Sequence, residues 1–181
     1  MILMPSALPG SYCVMRHALV SVPRGSVQHM ATWRDIEADA PRFAARVRSR
    51  FDAGTNTTLA SLRRDGSPRI SGTELVINNG RITLGMMPHS LKLHDVLRDA
   101  RVAIHSPTLE PPAGQPSDWA GDAKLAGVLV VTEPEPTDPP DTSSFELDVH
   151  EVVLTYIDPD NTHLVIESWH EKRGWERISR L

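Results

Sequence analysis

The sequence predicts a mainly β protein, a small β-barrel that carries a few helices. Many short runs alternate between apolar and polar residues, as half-buried strands do. Asp65-Gly66 and Asn79-Gly80 separate three of these runs, and such dipeptides favour tight hairpins because they accept positive φ. No regular alternation of strands with long helices is present, so parallel βαβ units are not expected.

The first predicted element is a helical region that begins after Thr32. Thr32 and Asp35 have the spacing of a capping box. Apolar residues then recur at steps of three and four, which indicates an amphipathic helix. Pro41 is expected to divide the region into a short helix and a longer one, and Gly54 is expected to end the second.

The middle of the chain predicts a meander that leads into a helix. A strand, the Asp65-Gly66 turn, a second strand, the Asn79-Gly80 turn and a third strand over residues 81–86 follow one another. Ser90 is a suitable N-cap for the short helix that comes next. A fourth strand is expected over residues 101–106.

The C-terminal half predicts long strands separated by proline-rich segments. A loop rich in proline covers residues 107–116 and a second such linker covers residues 134–140. Between them, residues 122–132 form a long apolar run in which Gly127 marks a bulge. Further strands are expected over residues 145–157, 164–169 and 174–178.

Length and composition define the class of protein. The 181 residues suit one domain with its own core. Residues 1–29 show no sustained period and are interpreted as a disordered leader or an upstream extension, so the folded domain is expected over residues 30–181. Cys13 is the single cysteine, which excludes an internal disulfide and favours a reducing cytoplasm.

Charge and hydropathy argue against two kinds of partner. The formal net charge is −4, whereas a nucleic-acid binder needs a basic face for phosphates. The chain also lacks the polybasic cluster of a membrane-surface protein, and no apolar run is long enough to span a bilayer. We therefore expect neither nucleic acid nor a membrane as a partner.

The residues themselves predict an anion site rather than a catalytic motif. There is no G-x-S-x-G elbow, HExxH or Walker loop, and the eight histidines are scattered, so no metal site and no catalytic residue is assigned. Ser90 at a helix N-terminus, Lys92 in its first turn and Arg69 on a nearby strand could together hold an anion. The alternative is that Ser90 only caps the helix while Lys92 and Arg69 are solvated.

The order of several motifs resembles one known family. Residues 58–69 read TLASLRRDGSPR, residues 90–92 read SLK, residues 99–103 read DARVA and residues 121–127 read GDAKLAG. Together they resemble the pyridoxamine 5′-phosphate oxidase-like superfamily. The resemblance implies a split β-barrel of the FMN-binding-protein type that forms a homodimer. It also implies an oxidoreductase that binds FMN or the deazaflavin F420 at the subunit interface and transfers hydride to a small organic substrate.

The resemblance also assigns the cofactor-binding residues. They lie on the second and third strands of the meander, at the helix start and on the strand after the proline-rich loop: Arg69, Ile70, Ser71, Gly72, Thr73, Leu84, Gly85, Met86, Ser90, Lys92, Asp122 and Lys124.

Three departures from the family pattern affect this assignment. Glu74 and Leu91 stand where the oxidases carry a lysine and an arginine, and Asp122 stands where they carry a glutamine that reaches the partner's flavin. The loss of two cations argues against a true pyridoxine phosphate oxidase. It leaves FMN and F420 both open.

The sequence is also compatible with two other functions. One is a non-catalytic flavin- or deazaflavin-binding or carrier protein on the same barrel. The other, less favoured, is a haem-binding relative in which His105 or His163 would matter. Trp119, in the proline-rich loop, would either cap the substrate side or serve as an apolar anchor.

Overall fold

The computed structural model describes residues 30–134, 139 and 141–181. The expected leader over residues 1–29 and most of the linker over residues 134–140 lie outside the described residues.

The described chain contains three α-helices, nine strands and one short 3₁₀ turn. The helices are α1 (Trp33–Asp39), α2 (Pro41–Phe51) and α3 (Leu91–Arg98), and the 3₁₀ turn is Pro116–Asp118. The strands are β1 (Thr57–Leu62), β2 (Pro68–Thr73), β3 (Leu75–Asn78), β4 (Arg81–Met86), β5 (Arg101–His105), β6 (Asp122–Thr132), β7 (Ser143–Ile157), β8 (Leu164–His170) and β9 (Gly174–Arg180).

The two N-terminal helices form where the sequence predicts them. The backbone N–H of Thr32 donates to the Asp35 carboxylate at 2.7 Å, which confirms the capping box. Pro41 occupies the first position of α2, where its missing N–H costs nothing. The apolar faces of both helices are buried in the core: Trp33, Ile36, Phe43, Ala44, Val47 and Phe51.

All strand pairs are antiparallel, and their order is β2-β1-β5-β6-β7-β4-β3. The long strand β7 pairs along one edge with β6. Its other edge is shared, because its first residues pair with β4 and its last residues pair with β8. Strand β9 then pairs with β8. This division of β7 between two neighbours separates the β3-β4 hairpin from the β8-β9 hairpin.

The meander prediction was wrong in one respect, because the single strand expected between the two turns is two strands. Strand β2 pairs with β1, whereas β3 pairs with β4, and the two lie at opposite ends of the sheet order. Only Glu74 separates them in the chain. Since one residue spans less than about 4 Å, the sheet must curl until its ends approach each other at Glu74.

Two turn predictions are confirmed by the backbone. Gly66, Asn79 and Gly80 all have positive φ, at 83°, 52° and 76°. The irregularity expected at Gly127 is also present, because the register between β6 and β7 shifts between Ala126 and Gly127.

Candidate functional site

A cleft opens where β2 passes into β3. It has a volume of about 590 Å³, within the range of small-molecule sites. Strand β4, the start of α3 and residues at the β6 and β7 ends complete its walls. Six of the twelve residues assigned by the resemblance line it: Gly72, Thr73, Leu84, Gly85, Met86 and Lys92.

Lys92 is the cation best placed to serve the cleft. It is the second residue of α3, and its Nζ donates to the carbonyl oxygen of Gly72 at 2.7 Å. Burial lowers the pKa of the Lys92 ammonium, and the nearby Glu74 carboxylate opposes that shift. A partly desolvated ammonium whose hydrogen bond goes to a backbone carbonyl retains donors for an incoming anion.

Thr73 is a buried residue in the wall of the cleft. Its backbone carbonyl accepts the Thr57 hydroxyl at 2.9 Å, and the residue is only 5% exposed. Its own Oγ1 is buried without a hydrogen-bond partner among the described residues. The group in the cleft that fits an anionic cofactor is the Lys92 ammonium.

Apart from Lys92, the unpaired charges that line the cleft are negative. Arg81 is engaged by the buried Glu146 carboxylate, with Nε to Oε2 at 2.7 Å. Glu74 and Glu133 line the same cleft and bring negative charge. An anionic ligand therefore gains most at Lys92 and is opposed at Glu74.

Arg69 is held by a partner that the sequence did not indicate. Its Nε donates to Oδ2 of the buried Asp95 at 2.6 Å, and Arg98 approaches the other carboxylate oxygen at 3.3 Å. The Arg69 guanidinium holds the pKa of Asp95 below its ordinary value. Arg69 does not line the cleft. It fixes α3 against β2 and so positions Lys92.

Three more assigned residues also lie outside the lining of the cleft. The Ser90 hydroxyl accepts the Leu93 N–H at 3.3 Å and caps α3, as predicted. Ile70 points outward and is 76% exposed, and Ser71 is half-buried on the same strand.

Asp122 and Lys124 form a separate group at the start of β6. Lys124 Nζ donates to Asp122 Oδ1 at 2.7 Å, and His105 Nε2 lies 3.4 Å from Asp122 Oδ2. None of these three side chains lines the cleft of the same chain. One copy of the protein therefore does not bring them together with Lys92.

Several lining residues were missed by sequence reasoning. They lie on the loop before β1, on β3 and β4, and along the β6–β7 connection: Asn56, Val76, Arg81, Thr83, Thr132, Glu133, Pro139, Thr142 and Ser144. Most reach the cleft only because β4 pairs with the first residues of β7. No local signal in the sequence marks that long-range pairing.

In the described part of the chain, no group of three or more His, Cys, Asp or Glu side chains is arranged to hold a metal ion. None of the described helices has the length and apolar character needed to cross a bilayer.

Known proteins resemble this chain in structure rather than in sequence. No protein-family model matches it, and no curated protein matches it. The crystal structure of PhzG from Burkholderia lata 383, in complex with tetrahydrophenazine-1-carboxylic acid, is similar with a TM-score of 0.56 and 12% identity over 81% of this chain and 91% of that one. A pyridoxamine 5′-phosphate oxidase-related, FMN-binding protein from Nostoc punctiforme PCC 73102 is similar with a TM-score of 0.53 and 10% identity over 78% and 96%.

These likenesses define the class of fold. The chain is a mainly β protein built on a nine-stranded antiparallel sheet with three helices among its described residues. It shares the fold of the pyridoxamine 5′-phosphate oxidase-like split β-barrel proteins, which confirms at the level of fold the resemblance read from the sequence.

Proposed function

We propose that this protein is a homodimeric oxidoreductase that binds FMN or F420 in the 590 Å³ cleft and reduces or oxidises a small organic substrate. The observation that carries the proposal is the convergence of six assigned residues on one cleft within this fold. When bound, the cofactor would supply the hydride chemistry. The chain would supply binding, orientation and exclusion of water.

Each lining element has a role in this proposal. Lys92 would donate to the cofactor's phosphate. The backbone of Gly72 and that of residues 84–86 would lie along the planar ring system. Arg69 and Asp95 would act indirectly, by holding α3 in place.

A second copy of the chain completes the site in this proposal. Asp122 and Lys124 do not line the cleft of their own chain, so they could contribute only to the partner's cofactor. The expected solution mass is that of a dimer, and light scattering of the purified protein measures it. A monomer that binds the cofactor fully would remove these two residues from the site.

Absorption spectroscopy of the purified protein, alone and after addition of FMN or F420, tests the proposal as a whole. A bound flavin or deazaflavin band is expected. A colourless protein that binds neither compound would contradict the proposal, and a Soret band would point to haem instead. Turnover of the reduced cofactor with candidate substrates then separates an enzyme from a carrier protein.

Lys92→Ala is expected to weaken FMN or F420 binding by roughly tenfold to a hundredfold, since a hydrogen bond to a charged group contributes about 1.5–3 kcal/mol. The substitution removes the ammonium that lines the cleft. Absorption titration measures the affinity. Lys172→Ala is the matched control, because Lys172 is exposed in the turn between β8 and β9. Equal affinity of both variants would place the phosphate elsewhere.

Glu74→Gln is expected to tighten binding of the same cofactors by roughly twofold to fivefold, the range of an exposed charge pair. The carboxylate lines the cleft and acts on Lys92, so its removal makes the cleft more favourable for an anion. The gain should shrink at high salt. Glu110→Gln removes an exposed carboxylate from the proline-rich loop and should leave the affinity unchanged. Weaker binding by Glu74→Gln would mean that Glu74 contacts the cofactor as an acceptor.

A further inference from the structure

A second pocket lies outside the cofactor cleft. Its volume is about 340 Å³, and it is bordered by α2, by the 3₁₀ turn with the segment after it, and by the end of β7. Arg46, Ser49 and Arg50 face it from α2 at the three- and four-residue spacing of one helical face. Trp119 and Tyr156 provide aromatic walls. None of these residues lines the cleft.

Arg50 lines this pocket and makes no ion pair among the described residues. Its Nε and Nη2 donate to the Ser49 hydroxyl at 3.3 and 3.2 Å. Its Nη1 is buried and has no hydrogen-bond partner among the described residues. A buried donor of a permanently charged group is expected to have an acceptor. The Arg50 guanidinium lines the pocket and has no ion pair among the described residues, so it is the cationic group that the pocket offers to an oxygen ligand.

Arg46 already has partners within the protein, and these contacts hold its side of the pocket in place. Its Nη1 lies 2.6 Å from Oε1 of Glu167, and its guanidinium stacks 4.0 Å from the centre of the Tyr156 ring. The Tyr156 hydroxyl donates to the same carboxylate oxygen at 2.7 Å. Because Glu167 neutralises Arg46, the unbalanced positive charge of the pocket lies on Arg50.

The aromatic side of the pocket is also fixed. The Trp119 indole Nε1 donates to the Leu109 carbonyl at 3.0 Å, which orients its ring. Ile157 and Pro159 add apolar surface. No acidic side chain of the described residues lines the pocket. A flat apolar wall beside one cationic donor suits a ligand with an aromatic ring and one carboxylate.

We propose that this pocket binds a small aromatic carboxylate, whose oxygen accepts from the Arg50 guanidinium and whose ring packs against Trp119. The inference goes beyond the proposed function, because it concerns a site with no residue in common with the cofactor cleft.

Titration with benzoate tests the proposal. Binding is measured by calorimetry and by the NMR signal of the Trp119 indole N–H, which is assigned with the variant Trp119→Phe. Saturable binding with a dissociation constant below about 10 mM is expected for so small a ligand. Benzamide has the same ring without the charge and should bind at least about tenfold more weakly. Arg50→Gln should weaken benzoate binding by a similar factor, whereas Arg42→Gln, exposed on the same helix, should leave it unchanged.

Four results would overturn the inference. They are no saturable benzoate binding, equal binding of benzamide, unchanged affinity in Arg50→Gln, and inorganic phosphate competing as strongly as benzoate, which would indicate an anion site without aromatic selection. If circular dichroism shows that Arg50→Gln is unfolded, the comparison of benzoate with benzamide on the unmodified protein decides the question. FMN and F420 affinities should not change in Arg50→Gln, so the two proposals can fail separately.

Discussion

Gly72→Leu is expected to abolish FMN and F420 binding while the protein remains folded. Gly72 lines the cleft on the edge strand β2, and a Cβ added there meets nothing within 4 Å. The leucine side chain therefore enters open space that the cofactor would need. A steric block of this kind should lower the affinity by more than about a hundredfold, which corresponds to roughly 3 kcal/mol.

The same substitution should not disturb the contact between Lys92 and residue 72. Lys92 donates to the backbone carbonyl of Gly72, which leucine retains. Ser179→Leu adds the same side chain at an exposed position of β9 and is the control. Absorption titration, circular dichroism and light scattering should show that only Gly72→Leu loses the cofactor, with folding and solution mass unchanged. Wild-type affinity in Gly72→Leu would place the cofactor outside this cleft.

Local features of the fold were predictable from the sequence because they depend on short-range chemistry. The capping pair Thr32 and Asp35 lies within one helical turn. The Asn79-Gly80 turn needs only two residues that accept positive φ. Pro41 interrupts a helix through its own ring and missing N–H. Each prediction concerned residues close in the chain, and the structure confirms each.

Strand pairings and side-chain contacts between residues far apart in the chain were not predictable in the same way. Nothing between Pro68 and Asn78 showed that β2 and β3 would join opposite ends of the sheet. Arg69 was expected to face an anion from outside, yet it donates to Asp95, 26 residues away. A guanidinium fork suits a protein carboxylate and a ligand phosphate equally well, so residue type alone did not distinguish the two.

The same contrast between local and long-range features applies to the candidate site. The residues contributed by β2, β4 and the start of α3 converge because these elements meet near Glu74. Asp122 and Lys124 stand apart, with His105 beside the Asp122 carboxylate. Whether they serve a cleft depends on how two copies pair, and that pairing is part of the proposal. The sequence identified candidate residues, and the curvature of the sheet determines which of them lie together in the cleft.

Gly127→Ala is expected to destabilise the protein by about 2 to 3 kcal/mol, the upper range for an overpacked interior. A Cβ added at Gly127 would lie 2.0 Å from the backbone oxygen of Asp148, on the neighbouring strand β7. The register there passes from Ala126↔Glu151 to Gly127↔Val149, so His150 is the extra residue of a bulge. Backbone, rather than a flexible side chain, would have to move.

That movement should reach the N-terminal helices. The Asp148 carboxylate accepts the Ala31 N–H at 2.9 Å, and the Val149 N–H donates to the Ala31 carbonyl at 2.9 Å. The bulge thus holds the segment that leads into α1, and shifting Asp148 would loosen both contacts.

Urea unfolding measures the loss of stability in Gly127→Ala. Gly72→Ala is the matched control, since its Cβ meets nothing within 4 Å, and it should leave stability unchanged or slightly raised. Equal stability of the two variants would mean that the bulge adjusts without cost, and Gly127 would then have no steric role in joining α1 to the sheet.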